Sequence, residues 1–87
     1  MKKETATVQL KNGLEARPIA VLVQLASQFD STVYLEAEGK RVNAKSIMGM
    51  MSLGLDTGES VQIEANGADE DAAVAKIAGF LSGAEEN

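Results

Sequence analysis

Apolar and polar residues alternate in three stretches of the chain, and a period of two residues is typical of strands with one buried face. The apolar positions of these stretches are Ala6, Val8 and Leu10, then Val33, Leu35 and Ala37, and last Val61, Ile63 and Ala65. A turn at residues 38–39 lets residues 40–43 return as a short strand that carries Val42. The alternation therefore predicts four strands, two of which form a hairpin. The first strand is expected to end at the turn Asn12-Gly13.

Two stretches with a helical period lie after the first and the last of these strands. The first has Pro18 in its first turn, where the missing N–H costs little, and runs to about Gln28. The second has Asp69 as its predicted N-cap and stops at Gly83. The buried stripes are predicted to be Ile19, Leu22, Val23 and Ala26 in the first helix and Val74, Ile77, Ala78 and Leu81 in the second.

A third, short helix is predicted at residues 47–51, with Ser46 as its N-cap and Gly54 at its end. A helix this short cannot bury all of its large apolar side chains. Helical spacing turns Met50 and Leu53 toward the sheet. The side chains expected on the other side are Ile47, Met48 and Met51. Exposed methionine and isoleucine beside polar residues indicate a binding surface, and the alternative is a core helix with more apolar residues than usual.

The predicted order of elements is β-α-β-β-α-β-α. Alternating strands need cover on one face only, and the amphipathic helices supply it. We therefore predict an α+β fold, an open-faced β-sandwich in which a four-stranded, mainly antiparallel sheet carries three helices on one face. In this layout the first helix lies near the short one. A chain of 87 residues is expected to form one domain, residues 1–87.

Composition narrows the classes of function. The net charge of −5 argues against nucleic acid as a direct partner. No apolar run approaches the roughly 20 residues that span a membrane, and the basic N-terminus lacks the apolar run of a signal peptide, so we expect a cytoplasmic protein. Histidine and cysteine are both absent, which removes most zinc and haem sites and the nucleophiles of many enzymes. We expect no metal, no cofactor and no enzymatic activity.

The basic residues lie mostly in the first half of the chain. After Ser46 the one basic residue is Lys76. The residues that could form a local positive patch are Arg17, Lys40, Arg41 and Lys45. The alternative is an ordinary solvated surface.

Two positions suit phosphate chemistry. Glu15 precedes the first helix, where free N–H groups and the planar guanidinium of Arg17 favour an anion. Glu15 would supply that anion covalently, or it is a capping carboxylate with no further role. Ser46 begins the short helix beside Lys45, and a phosphate on its hydroxyl would meet free N–H groups. Its alternative is a plain N-cap serine.

Two motifs, NGLEARPIAVLV at residues 12–23 and NAKSIMGMMSLGL at residues 43–55, resemble those of HPr, the phosphocarrier of the sugar phosphotransferase system. The resemblance runs from about Thr5 to Leu81 and implies the HPr-like fold. In HPr the first motif reads G-L-H-A-R-P, and its histidine passes a phosphoryl group from enzyme I to permease components. Glu15 stands in its place here. Because a carboxylate could carry phosphate only as an acyl phosphate, the resemblance implies that histidine phosphotransfer is lost.

The second motif is similar to a regulatory site of HPr from low-GC Gram-positive bacteria. There the ATP-dependent HPr kinase/phosphorylase phosphorylates a serine. The Crh (catabolite repression HPr) proteins keep this serine and lack the histidine, and the chain resembles them more closely. The resemblance implies phosphorylation of Ser46, followed by corepression with the catabolite control protein, a LacI-type regulator. The residues that it assigns to the regulator contact are Arg17, Ile47, Met48 and Met51.

Further readings stay open at this point. The chain could be an HPr phosphocarrier with a natural or engineered replacement at Glu15, or a scaffold that is never phosphorylated. Our hypothesis for Glu15 is that it pairs with the helix end and Arg17, and so fills the site of a phosphohistidine. Exchange of the first strand between chains would give a homodimer, as Crh-type proteins are known to form.

Overall fold

The computed structural model describes residues 1–11 and 13–83, so Asn12 of the predicted turn lies outside the described residues. Its elements are β1 (Lys2–Thr7), α1 (Ala16–Ser27), β2 (Thr32–Ala37), β3 (Lys40–Asn43), α2 (Ile47–Met51), β4 (Ser60–Asn66) and α3 (Glu70–Leu81). The strand order in the sheet is β1-β4-β2-β3, and each neighbouring pair is antiparallel. The predicted element order and antiparallel sheet are confirmed.

The sheet has one covered face and one open face. On the covered face Leu35 of β2 lies opposite both Ile63 of β4 and Val42 of β3, and all three are buried. On the open face Glu64 lies opposite both Tyr34 and Lys3. A register slip of one residue would turn the apolar set to solvent, so the alternation in the sequence specifies the pairing.

The helices complete the core above the covered face. Their fully or nearly fully buried residues are Ile19, Leu22 and Ala26 from α1, Met50 from α2, and Ala73, Val74, Ile77, Phe80 and Leu81 from α3. Val23 and Ala78, which the helical period also placed inside, are partly buried against this cluster. Helix α1 contacts both α2 and α3, which confirms the predicted proximity of the first and the short helix.

The first strand is shorter than the alternation predicts. Val8 and Leu10 are buried, but β1 ends at Thr7. The Val8 N–H still donates to the Glu59 carbonyl, just before β4, at 2.9 Å, but the next N–H, that of Gln9, donates to the Leu81 carbonyl at the end of α3 at 2.7 Å. The end of α3 and the loop before β4 thus replace a sheet neighbour.

Asp69 occupies the N-cap position of α3, as predicted, and its carbonyl accepts a hydrogen bond from the Ala73 N–H at 2.9 Å. Its carboxylate, however, makes no capping hydrogen bond. It accepts hydrogen bonds from the Asp30 N–H at 2.9 Å, from the Ser31 N–H at 3.0 Å and from the Ser31 hydroxyl. Ser31 is a buried polar residue, and a buried hydroxyl without a partner is costly. The carboxylate therefore ties the start of β2 to the start of α3.

The ends of the helices are close to their predicted positions. Helix α1 ends at Ser27 with Gln28 as its C-cap, and α3 ends at Leu81, two residues before Gly83. Helix α2 ends at Met51 with Ser52 as its C-cap. Gly54, which we predicted at the end of this helix, lies two residues beyond the C-cap.

Candidate functional site

The start of α1 is held by the backbone of a neighbouring loop. The Leu14 N–H donates to the Leu55 carbonyl at 2.9 Å, and the Thr57 hydroxyl donates to the Leu10 carbonyl. Gly13 adopts a φ of +68°, and a Cβ there would lie 2.7 Å from the Leu55 oxygen. Glycine is required at this position because the chain passes so close to the loop in a left-handed conformation.

Glu15 occupies the N-cap position of α1, and its carbonyl accepts from the Ile19 N–H at 3.0 Å. Its side chain is exposed and makes no capping hydrogen bond. An N-cap side chain usually accepts from the N–H of the second or third helical residue. The third residue of α1 is Pro18, which has no N–H. The sequence of the helix thus removes one of the two donors that Glu15 would use.

The predicted pairing of Glu15 with Arg17 is also wrong. No ion pair joins them, although the structure describes both residues. Side chains two positions apart on a helix do not face each other, and exposed ion pairs contribute little free energy. Neither form of our hypothesis for Glu15, the pairing or the simple cap, is therefore realised.

Ser46 is the N-cap of α2, as predicted. Its hydroxyl oxygen accepts a hydrogen bond from the Gly49 N–H at 3.1 Å, and its carbonyl accepts from the Met50 N–H at 3.0 Å. The connection from β3 is fixed by the Ser46 N–H, which donates to the Asn43 carbonyl at 3.0 Å, and by the Ala44 N–H, which donates to the Val33 carbonyl at 2.9 Å. The hydroxyl is half-buried at a firmly held helix start.

The two sides of α2 differ as the helical spacing predicts. Met50 is fully buried and anchors the helix in the core, and Leu53 is buried just beyond it. The outward side chains have exposed fractions of 51% for Ile47, 84% for Met48 and 57% for Met51. We call these three residues the α2 surface. They lie one, two and five residues after Ser46 along the chain.

The four basic residues do not form one positive patch. The Lys45 ammonium donates to the Phe29 carbonyl at 2.8 Å, and the Lys40 ammonium donates to the Ser52 carbonyl at 2.9 Å. Both carbonyls lie just past helix ends, where no intrahelical partner is present. Arg41 is on the open face of the sheet, with its guanidinium 4.1 Å from the centroid of the Tyr34 ring. It also donates to the Glu64 carboxylate at 2.8 Å.

Arg17 lies exposed in the first turn of α1. Because α1 and α2 are in contact, its helix is on the same side of the sheet as Ser46. Sequence reasoning missed Val21, which is 43% exposed on α1. Val21 lies outside the buried stripe that contains Ile19 and Leu22, and this spacing would have predicted its exposure.

None of these candidate residues lines the groove found in the described part of the chain. That groove, of about 490 Å³, lies between β1 and α3 and is lined by residues such as Thr5, Thr7, Ala75 and Ala78. Within residues 1–11 and 13–83, no three metal-binding side chains are grouped. No helix in that part of the chain is long and apolar enough to cross a membrane.

The model of the family described as the PTS HPr component phosphorylation site matches residues 2–82. The chain belongs to the HPr family. The HPr-like protein Crh of Bacillus subtilis (strain 168) is 51% identical over 81 residues, which cover 93% of this chain and 95% of that protein. The Crh of Halalkalibacterium halodurans is 43% identical over 81 residues, which cover 93% of this chain and 96% of that one.

Solved structures of HPr-family proteins have the same fold. The phosphocarrier protein HPr of Bacillus anthracis str. Ames matches with a TM-score of 0.90 at 44% identity, covering 92% of this chain and 95% of that one. The crystal structure of B. subtilis Crh matches with a TM-score of 0.77 at 49% identity, covering 95% of each chain. That Crh is described as a dimer with a swapping domain. The chain is thus an HPr-like protein of the regulatory or phosphocarrier kind.

Proposed function

We propose that this HPr-family chain is a regulator of carbon catabolite repression that is switched by phosphorylation of Ser46. The observation that carries the proposal is the position of the Ser46 hydroxyl at the start of α2, directly before the exposed α2 surface. The similarity to Crh proteins supports it. In this proposal the chain is not an enzyme. It is a cytoplasmic substrate of HPr kinase/phosphorylase.

The proposed reaction transfers the γ-phosphoryl group of ATP to the Ser46 oxygen. The O–P bond to serine forms, the bond to ADP breaks, and the hydroxyl proton leaves to a base of the kinase. The phosphate adds about −1.5 to −2 charge. This charge would lie at a helix start, where the Gly49 N–H already points at the serine oxygen.

The phosphorylated protein would then bind the catabolite control protein, a LacI-type regulator, and act as its corepressor without contacting nucleic acid itself. The phosphate provides acceptors for arginine or lysine of the regulator. Ile47, Met48 and Met51 provide exposed apolar anchors beside it. Arg17 is exposed on the adjoining α1 and is proposed to contact the regulator as well.

Loss of phosphocarrier activity is part of the proposal, and it does not depend on the predicted pairing of Glu15 with Arg17. Glu15 is exposed and makes neither the cap nor the pair that would close the site. What prevents phosphohistidine chemistry is the absence of an imidazole, since the chain contains no histidine. The exposure of Glu15 also favours the second candidate, an HPr phosphocarrier, natural or engineered at this position, that would use an acyl phosphate.

The decisive experiment compares two phosphate donors on the full chain. With HPr kinase/phosphorylase and ATP, mass spectrometry is expected to find one phosphate on Ser46. With enzyme I and phosphoenolpyruvate, no phosphate is expected. Phosphate on Glu15 that passes to a permease component would establish the carrier instead, and no phosphate from either donor would favour a scaffold.

A homodimer formed by exchange of β1 is a further part of the proposal. Within residues 1–11 and 13–83, β1 is an edge strand and pairs with β4 alone. Strand exchange could therefore keep its ladder of hydrogen bonds. Sedimentation analysis tests the mass in solution, and a monomer at every concentration would contradict the exchange.

A further inference from the structure

Helix α2 carries three methionines that differ widely in their exposure to solvent. The exposed fraction is 84% for Met48 and 57% for Met51, whereas Met50 is fully buried between them in sequence. Two of the three thioethers can therefore be reached by a small reagent in water, and the third cannot. Met48 and Met51 are therefore the candidate reactive sites, and Met50 is a buried control in the same helix.

The chain contains no cysteine, so methionine provides all of its sulfur. A thioether is soft and polarizable, and peroxides oxidise it to a sulfoxide. In this step the O–O bond of the peroxide breaks and a sulfur–oxygen bond forms. Sulfur loses two electrons and the peroxide gains them; one peroxide oxygen ends on sulfur, and the other leaves as water. No further reactant is needed.

We propose that Met48 and Met51 are a peroxide-sensitive modification site, and that their oxidation makes the α2 surface too polar to dock an apolar partner. The chemical part stands on exposure alone. The docking part rests on the proposed function, because it assumes that this surface binds the regulator.

The fold is expected to survive this oxidation. The oxidised side chains lie outside the core, and the helix stays anchored by Met50 and by the Ser46 cap. A sulfoxide is polar and accepts hydrogen bonds, so it would keep water on a surface that has to be desolvated on binding. Methionine sulfoxide reductase restores the thioether, which makes the modification reversible.

The first test is a time course of the full chain in hydrogen peroxide, with peptide mass spectrometry to locate each added oxygen. Met48 and Met51 are expected to react at least roughly tenfold faster than Met50, because access governs the reaction. Met1, which is 67% exposed, should also react and serves as an exposed control outside the α2 surface. Equal rates at Met48 and Met50 would overturn the proposal.

The second test measures the apolar surface without any partner. Oxidised protein should elute earlier from a hydrophobic-interaction column, with an unchanged melting temperature, and the reductase should reverse the shift. The matched control is the double variant Met48→Leu/Met51→Leu, which keeps an apolar α2 surface but has no sulfur there. Its elution should stay unchanged after the same peroxide treatment, although Met1 is oxidised. An equal shift in the variant would contradict the assignment.

The third test uses the Ser46-phosphorylated protein and the catabolite control protein. Oxidation should weaken binding roughly tenfold in the native chain, as expected for loss of apolar anchors, and leave the double variant unaffected. If the unoxidised phosphoprotein does not bind, the proposed function fails, while the first two tests still decide the chemistry. If it binds and oxidation changes nothing, the docking part is overturned.

Discussion

The starts of α1 and α2 have similar backbone geometry, but only α2 has a side-chain cap. Glu15 and Ser46 both have extended dihedral angles, and each carbonyl accepts the first helical hydrogen bond at 3.0 Å. The Ser46 oxygen also accepts from the N–H of Gly49, the third residue of α2. The corresponding residue of α1 is Pro18, which has no N–H, and the Glu15 carboxylate caps nothing.

The comparison teaches that negative charge at a helix start does not amount to a cap. A serine oxygen lies one bond beyond Cβ and reaches the backbone without ordering a long side chain. Glutamate must fix two further torsions, at a cost in entropy. The start of α1 is held by the loop around Leu55 instead, whereas the start of α2 is held by the side chain that we propose as the phosphate acceptor.

The largest expected effect is at Ser46. Ser46→Ala should abolish phosphate incorporation from ATP and lower the free energy of unfolding by about 1 kcal/mol through loss of the cap. Intact mass after kinase treatment and urea unfolding measure the two effects. Ser52→Ala is the matched control, because Ser52 lies at the other end of the same helix and should leave phosphorylation intact. Phosphate on the Ser46→Ala protein would break the assignment.

Backbone docking at the start of α1 is tested at Gly13. Gly13→Ala should lower the free energy of unfolding by roughly 2–4 kcal/mol, because the new Cβ adds a clash with Leu55 to the strain of a positive φ. Gly39→Ala separates the two causes, since Gly39 also has a positive φ but no atom within 4 Å of the added Cβ. Equal losses in denaturant unfolding would mean that the close approach is not what requires glycine.

The exposed side of α2 is tested by truncation of Met51. Met51→Ala should weaken regulator binding by about 1–2 kcal/mol while leaving stability nearly unchanged, because the side chain is exposed in the free protein. Titration calorimetry with the phosphorylated protein measures the change. Val21→Ala sharpens the comparison: an equal loss there would extend the docking surface onto α1, and an unchanged affinity would confine it to α2.

A third helix start, at α3, predicts a dependence of stability on pH. The hydrogen bond from the Ser31 hydroxyl, with those from the backbone, lowers the pKa of Asp69 below its ordinary value of 3.8. The Gly67 N–H, with the chain amino group, lowers the pKa of Glu70 below 4.5. The two carboxylates therefore bind a proton more readily in the unfolded chain than in the folded one. Their contribution to the free energy of unfolding is fully present above the unfolded pKa values, and it is lost as the pH falls through the folded pKa values.

Urea unfolding in acid measures the effect. Asp69→Asn should be less stable at neutral pH and should lose less stability on acidification than the native chain. Asp71→Asn is the control, because this carboxylate is in the same turn but makes no side-chain hydrogen bond within the described residues. A pH profile that Asp69→Asn leaves unchanged would rule out the link between β2 and α3 as its source.

The smallest effect is expected at Glu15. Glu15→Gln should change the free energy of unfolding by less than about 0.5 kcal/mol, because the exposed carboxylate makes no capping hydrogen bond, and no ion pair with any residue that the structure describes. A loss above about 1 kcal/mol would show that the charge does stabilise α1. Glu15→Ser in a Pro18→Ala background supplies both the short acceptor and the missing N–H, and should gain about 0.5–1 kcal/mol over Pro18→Ala alone.

The elements and their faces could be predicted because they depend on local periods. Alternation placed Leu35 and Ile63 on the covered face, and helical spacing separated buried Met50 from exposed Met48. The Ser46 cap followed from residue type and position as well. Each of these features needs only residues within one or two turns of each other, so the chain order carries the information.

What the sequence by itself determined is therefore the order of elements, the buried faces and the cap at Ser46. The tertiary structure alone decided the partners of the charged side chains. Asp69 bonds to Ser31, Lys45 to the Phe29 carbonyl and Arg41 to Glu64, and no local pattern names these residues. A charged group takes whichever donor or acceptor the packed chain leaves unpaired nearby, and that choice exists only once distant segments have met.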